Sequence, residues 1–155
     1  MKKFLFSVLV LAIGSTLNAQ TVKDELAQVQ QIWGKEKKTV VNEALKLKTE
    51  EAEKFWPLYE AYQAVRNKLG QERLAAIESY SNNFETMTDA KATEIAKSVL
   101  ANNKALNKLQ TEYLKKISKS VSPIKAVQFL QLENYIDAQL KAAVSEALPF
   151  FPNKK

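Results

Sequence analysis

An all-α fold, four long helices in antiparallel hairpins forming an up-and-down bundle or an elongated cradle, follows from three features of this sequence. Only three Gly (14, 34 and 70) and four Pro (57, 123, 149 and 152) occur in 155 residues. Ala, Leu, Lys, Glu, Gln and Asn, all compatible with helix, supply most of the remainder. Apolar residues recur every three or four positions through long stretches, and the breaks between those stretches are short.

The N-terminus is read first because it bears on compartment. Met1-Lys2-Lys3 is a positive start, Phe4 to Ile13 an apolar run broken by Ser7, and Gly14 to Gln20 a small, polar close. That order predicts a secretory signal peptide over 1–19, cleaved after Ala19, with 20–155 as one α-helical domain in the periplasm or otherwise exported. Leu17, at the −3 position, is bulkier than the usual small residue. The apolar run is about half the ~20 residues that span a bilayer, so no stable membrane anchor is expected. No Cys stands at the junction to carry a lipid.

The first helical segment is predicted from about Val22 to Lys46. Val22, Leu26, Val29 and Trp33 form one apolar stripe, and Val40, Val41, Ala44 and Leu45 another. Gly34 and Lys35-Glu36-Lys37-Lys38 lie between them and mark a weak point, since Gly in a helix costs up to about 1 kcal/mol relative to Ala.

A second segment starts with Thr49 as N-cap and Glu50, Glu51 and Glu53 against the helix dipole. Its stripe is Ala52, Phe55, Tyr59, Tyr62, Val65 or Arg66, Leu69, Arg73, Ile77 and Tyr80. Pro57 predicts a bend over Glu53–Pro57. The third segment, from Thr88-Asp89 to Lys119, carries Ala92, Ile95, Val99, Asn102, Leu106, Leu109, Tyr113 and Ile117. Asn102 is either a polar edge to that stripe or a register-fixing contact. The fourth opens on Ser122 as N-cap with Pro123 at the first helical position. Its face is Val127, Phe129, Leu130, Leu132, Ile136, Leu140, Ala143 and Ala147. Pro149 ends it, and Phe150 and Phe151 are expected to fold back on the bundle.

The whole chain carries +6. Residues 49–87 hold four basic against seven acidic groups, whereas 88–121 hold seven against three. These are either complementary faces of one hairpin or a lysine face (Lys104, Lys108, Lys115, Lys116, Lys119) turned to an anionic or unfolded partner. Nucleic acid fits poorly, because there are no Arg clusters and no loop of stacking aromatics. With no His and no Cys, triad and thiol chemistry are excluded and a zinc site is not expected. Glu50, Glu51 and Glu53 form a carboxylate cluster, but a helix start explains them better than acid–base catalysis. No catalytic residue, metal or cofactor is expected.

Two placements carry more information. Arg73 and Glu133 both lie in apolar seams, where a charge needs a partner. The sequence predicts that they pair across the bundle, assisted by Asn134 or Tyr80. Trp56, Phe84, Met87, Phe150 and Phe151 stand partly off the main stripes. They either fill core gaps or, with Lys115 and Lys116, contact a client.

Phe55-Trp56-Pro57-x-Tyr59-x-x-Tyr62, Glu72-Arg73-x-x-x-Ile77-x-x-Tyr80, Met87-Thr88-Asp89, Ser122-Pro123 and Phe129-Leu130-Gln131-Leu132-Glu133-Asn134 together resemble a group of small exported bacterial helical proteins of unassigned function. That group is in turn similar to the Spy/CpxP-like periplasmic family with Leu-Thr-x-x-Gln motifs. Leu47-Lys48-Thr49-Glu50-Glu51 and Val121-Ser122-Pro123-Ile124-Lys125 stand where such motifs lie, without spelling them. The resemblance implies an elongated helical cradle, often a homodimer. It implies binding of unfolded or envelope protein clients without ATP, or adjustment of an envelope stress response. A non-catalytic module that docks on one envelope partner and inhibits it is the alternative. The residues by which zinc-binding relatives hold their metal are absent here.

Overall fold

The computed structural model describes residues 37–150, and no strand occurs among them. Helix α1 covers 37–45 of the described residues. Helix α2 spans Thr49–Asn83, α3 Asp89–Ser120 and α4 Pro123–Ala147. The leader, the stripe Val22 to Trp33, the weak point at Gly34, and Phe151 lie outside the described residues.

Local chemistry accounts for each boundary. Lys46 ends α1 with φ 46°, in the left-handed region that a residue with a Cβ enters at a cost. Its N–H still bonds the Asn42 carbonyl at 3.0 Å. The cap of α2 is Lys48, one residue before the Thr49 expected from sequence, because Glu51 reaches back to take the Lys48 N–H at 2.9 Å. Pro57 lies on the exposed side of α2, and the helix runs on through it. Thr88 caps α3 by accepting from the Lys91 N–H, and Ser122 caps α4 by accepting from that of Lys125. Pro123 follows at a position whose N–H no helix would use.

Short links make successive helices antiparallel, and the cross-helix bonds fix their register. Lys37 bonds Gln63 and Lys38 bonds Glu60, so α1 runs against α2. Lys37 meets Glu133 and the Leu45 carbonyl accepts from Lys125, so α1 also runs against α4. Asn102 donates to the Leu69 carbonyl at 2.8 Å, and Gln110 to Asn134 at 3.0 Å, placing α3 between α2 and α4. Asn102 is thus a contact between helices. No Cα of α2 comes within 8 Å of one in α4. These two form one diagonal of the bundle, flanked by α3 on one side and α1 on the other.

That diagonal is too wide for short aliphatic side chains, and aromatic rings fill it. Tyr62 meets Phe129 at 5.1 Å and Tyr113 at 5.3 Å, both edge-to-face, and Phe55 meets Phe129 at 5.7 Å. Such pairs contribute about 0.5–1.5 kcal/mol each beyond the area they bury. Val41 and Leu45 close the core from α1, Leu106, Leu109, Tyr113 and Ile117 from α3, and Ala126 from α4. Val65 turns outward, so Arg66 is the residue that continues the α2 stripe inward.

Candidate functional site

Helix α4 buries two acids among its apolar inner residues and exposes several apolar ones. Glu133 and Asp137 are 2% and 6% exposed, while Ile124 and Tyr135 are 67% and 58% exposed. Four residues separate the two acids, so they stack on the inner face with Phe129, Ile136 and Leu140. Ile124, Val127, Gln131, Tyr135, Ala138 and Ala142 recur at helical spacing, and all are exposed. Val127, expected inside, faces solvent because Ala126 and Phe129 take the inner positions.

The inward acids meet side chains from α1, from α2 and from α4 itself. The Lys37 ammonium lies 2.8 Å from Oε1 of Glu133 and donates to Oε2 at 3.1 Å. The Tyr62 hydroxyl donates to Oε2 at 3.0 Å. One turn farther along α4, Oδ1 of Asp137 accepts from Arg66 at 3.1 Å and Arg73 at 3.2 Å, and Lys141 stands 2.7 Å from Oδ2. Four cations thus surround two carboxylates. Burial shapes their titration. It lowers the Lys37 ammonium below its ordinary value, against the opposing pull of Glu133, and lowers Arg73 despite Asp137 beside it. Burial, reinforced by Glu133, raises Tyr59 and Tyr62 well above the usual tyrosine range.

The expected Arg73–Glu133 pair is not the one that forms. Arg73 takes Asp137, and Glu133 takes Lys37 and Tyr62. The reason is register. Tyr62 is level with Glu133, and Arg73 stands about 16 Å farther along α2 at 1.5 Å per residue. Its side chain leans back toward the helix N-terminus and meets the nearer acid. Asn134 bonds Gln110 instead, and Tyr80 donates to the Pro149 carbonyl. Lys37, Asp137, Arg66 and Lys141 were not anticipated as members. The spacing 37, 41, 45 and the heptad 66, 73 hold the signal that could have found them.

The residues singled out for client contact do not form one patch. Trp56 packs edge-on against Phe55 and Tyr59, with the Lys38 ammonium 5.0 Å from its ring. Met87 is buried. Phe84 is half-buried with its ring 5.8 Å from that of Tyr80. Phe150 is 94% exposed and does not fold back, although Pro149 just before it is tied to Tyr80. Lys115 and Lys116 are both exposed, and Lys116 pairs with Glu112 along its own helix at 2.6 Å.

Lys115 belongs to a longer array. Lys97, Lys104, Lys108, Lys115 and Lys119 all lie exposed on the outer face of α3, a stripe of about 33 Å at 1.5 Å per residue. None of them meets an acidic side chain at ion-pair distance among the described residues. Among the described residues the ion pairs of α2 and α3 run within α3 or to α1 and α4, and Asn102 of α3 donates to Glu72 of α2 at 3.4 Å. The outer faces of α3 and α4 therefore offer, on adjoining helices, unpaired positive charge and uncharged apolar surface.

Among the described residues no three acidic side chains cluster so as to hold a metal ion. None of their helices is long and apolar enough to cross a membrane. Comparison with family models, curated proteins and solved structures yields no match.

Proposed function

We propose that this is an exported, non-catalytic protein of the bacterial envelope that binds unfolded protein clients without ATP, in the manner of Spy/CpxP-like chaperones or stress-response accessories. On this reading residues 1–19 are removed after Ala19 and 20–155 act as one helical domain. The observation that supports it best is the exposed apolar stripe of α4. Two carboxylates are held inside by dedicated partners while Ile124, Val127 and Tyr135 face out. An apolar stripe beside a row of lysines suits loosely specific contact with non-native chains, whose apolar and acidic segments are both exposed. The buried cluster belongs to the architecture, since its groups face one another and Glu133 is shut off from solvent.

The test is suppression of aggregation of a chemically denatured client, at sub-stoichiometric and equal amounts of the protein. Suppression weakened by Ile124→Ser with Tyr135→Ser, at unchanged helicity, is the expected result. Absence of suppression at every ratio counts against the reading.

A docking module for one envelope partner is the second reading. It is favoured by the regular spacing 124, 127, 131 and 135, which suits a partner helix or groove. A single saturable partner recovered from envelope extracts, with no effect on denatured clients, would select it.

A further inference from the structure

Helix α3 lies opposite α1, so its outer face looks away from the other described helices. Along that face run Lys97, Lys104, Lys108, Lys115 and Lys119. Steps of seven and four keep them in one row over about 33 Å. Ala101 and Thr111, both exposed, stand between them. Glu94 and Glu112, the acids in the body of α3, pair with Lys91 and Lys116, which lie off the row, at 2.8 and 2.6 Å. Glu72 of α2 accepts from Asn102. On α4, Glu133 and Asp137 point inward to Lys37 and the two arginines. None of these acids neutralises the row.

We infer that this row seats the protein on a lipid surface rich in anionic phosphate headgroups. Charge complementarity gives the partner's sign, and the residue types give its form. Small ligands take concave sites, and protein interfaces are depleted of lysine and centred on buried aromatic or arginine anchors. The row runs along the convex side of one helix, and Ala101 and Thr111 offer no anchor. Both arginines of the chain, the side chains suited to bidentate phosphate recognition, are committed to Asp137 inside the bundle. What remains is flexible, monodentate charge spread evenly along a line, which suits a plane of negative charge. The apolar stripe of α4 points along the other diagonal of the bundle, so a protein lying on α3 keeps that stripe open. Adsorption and client binding are therefore separate properties, and either can fail alone.

The test is co-sedimentation of the full chain, without client, with vesicles of pure phosphatidylcholine and of phosphatidylcholine mixed with phosphatidylglycerol. The apolar run near the N-terminus is common to every variant, so the readout is the difference between variants. The unaltered chain is expected to prefer the anionic vesicles and to lose that preference as salt is raised. Lys104→Gln with Lys108→Gln should weaken partitioning about 25-fold, or about fivefold per lysine. The same charge change on α2, Lys54→Gln with Lys68→Gln, both exposed, should weaken it far less. Equal losses in the two variants, or no preference for anionic vesicles, overturn the inference. Binding to polyglutamate or to a DNA duplex as tight as to the vesicles, at the same salt, also overturns it, since the row would then serve a protein or a nucleic acid. A second measurement leaves the lysines in place. The chain has no native Cys, so a fluorophore on Ala101→Cys, within the row, is compared with one on Ala64→Cys, exposed on α2. A quencher carried on lipid headgroups is expected to dim the first and spare the second, and equal quenching of both overturns the proposed seating.

Discussion

Lys37 and Glu133 are 96 residues apart in sequence, and their charged atoms approach to 2.8 Å inside the bundle. Removing one partner leaves the other buried and unpaired, a loss of about 3–5 kcal/mol, whereas replacing both with apolar residues of similar volume is close to neutral. We expect Glu133→Leu alone to lower the urea midpoint sharply and Lys37→Met with Glu133→Leu to restore most of it. Equal destabilisation by the single and double variants would show that the ion pair is not what holds α1 to α4.

Asp137 has three cationic partners of unequal burial. Lys141 is nearly half exposed, and its pair is expected to contribute less than about 1 kcal/mol. Arg66 and Arg73 are far less accessible. Asp137→Ala should therefore cost several times more than Lys141→Ala in equilibrium unfolding.

The tyrosines set an alkaline limit. Tyr59 and Tyr62 hold their protons in the folded state to higher pH than in the unfolded chain, where tyrosine ionises near pH ~10. Above that pH the folded state binds more protons, so the stability they confer is lost as pH rises toward their folded values. Lys37 acts with the opposite sign. Its ammonium is lowered on folding, so its contribution makes stability rise with pH up to the unfolded lysine value of ~10.4. Denaturation midpoints are expected to fall above about pH 10, and Tyr62→Phe to make that fall shallower.

Lys46 turns the chain between α1 and α2 in a left-handed conformation. Glycine adopts it without the Cβ clash, so Lys46→Gly should stabilise the protein by about 1 kcal/mol, read as a higher melting temperature. A destabilised variant would mean that the lysine side chain contributes more than its backbone costs.

The lysine stripe on α3 has no internal role among the described residues. Lys104→Glu with Lys108→Glu and Lys115→Glu is expected to leave stability within about 0.5 kcal/mol, as surface substitutions usually do. Binding to an acidic denatured client should weaken, and lose most of its dependence on salt.

The helices were legible because their punctuation is chemical. Thr88 and Ser122 mark helix starts by the N–H groups they accept from, Pro123 and Pro149 mark boundaries by the N–H they lack, and Phe55, Tyr59 and Tyr62 mark a buried face by spacing alone. The need of Arg73 for a partner was legible for the same reason. The partner itself was not, because two acids share one face of α4 a turn apart and the axial offset between α2 and α4 is set by tertiary packing. Lys37 stands in the charged run Lys35-Glu36-Lys37-Lys38, and only the position of α1 over Glu133 draws it inside. The outward turn of Val127 was hidden too, since Ala126 offers an equally apolar inner residue and a neighbouring aromatic decides between them.

The bond from Lys37 to Glu133 also has a kinetic side. The two hairpins formed by α2, α3 and α4 close over short loops, whereas this bond closes a loop of 96 residues, the greater entropic cost. Packing of α1 against α4 is therefore expected to follow formation of those hairpins. Glu133→Leu should accelerate unfolding while leaving the refolding rate nearly unchanged.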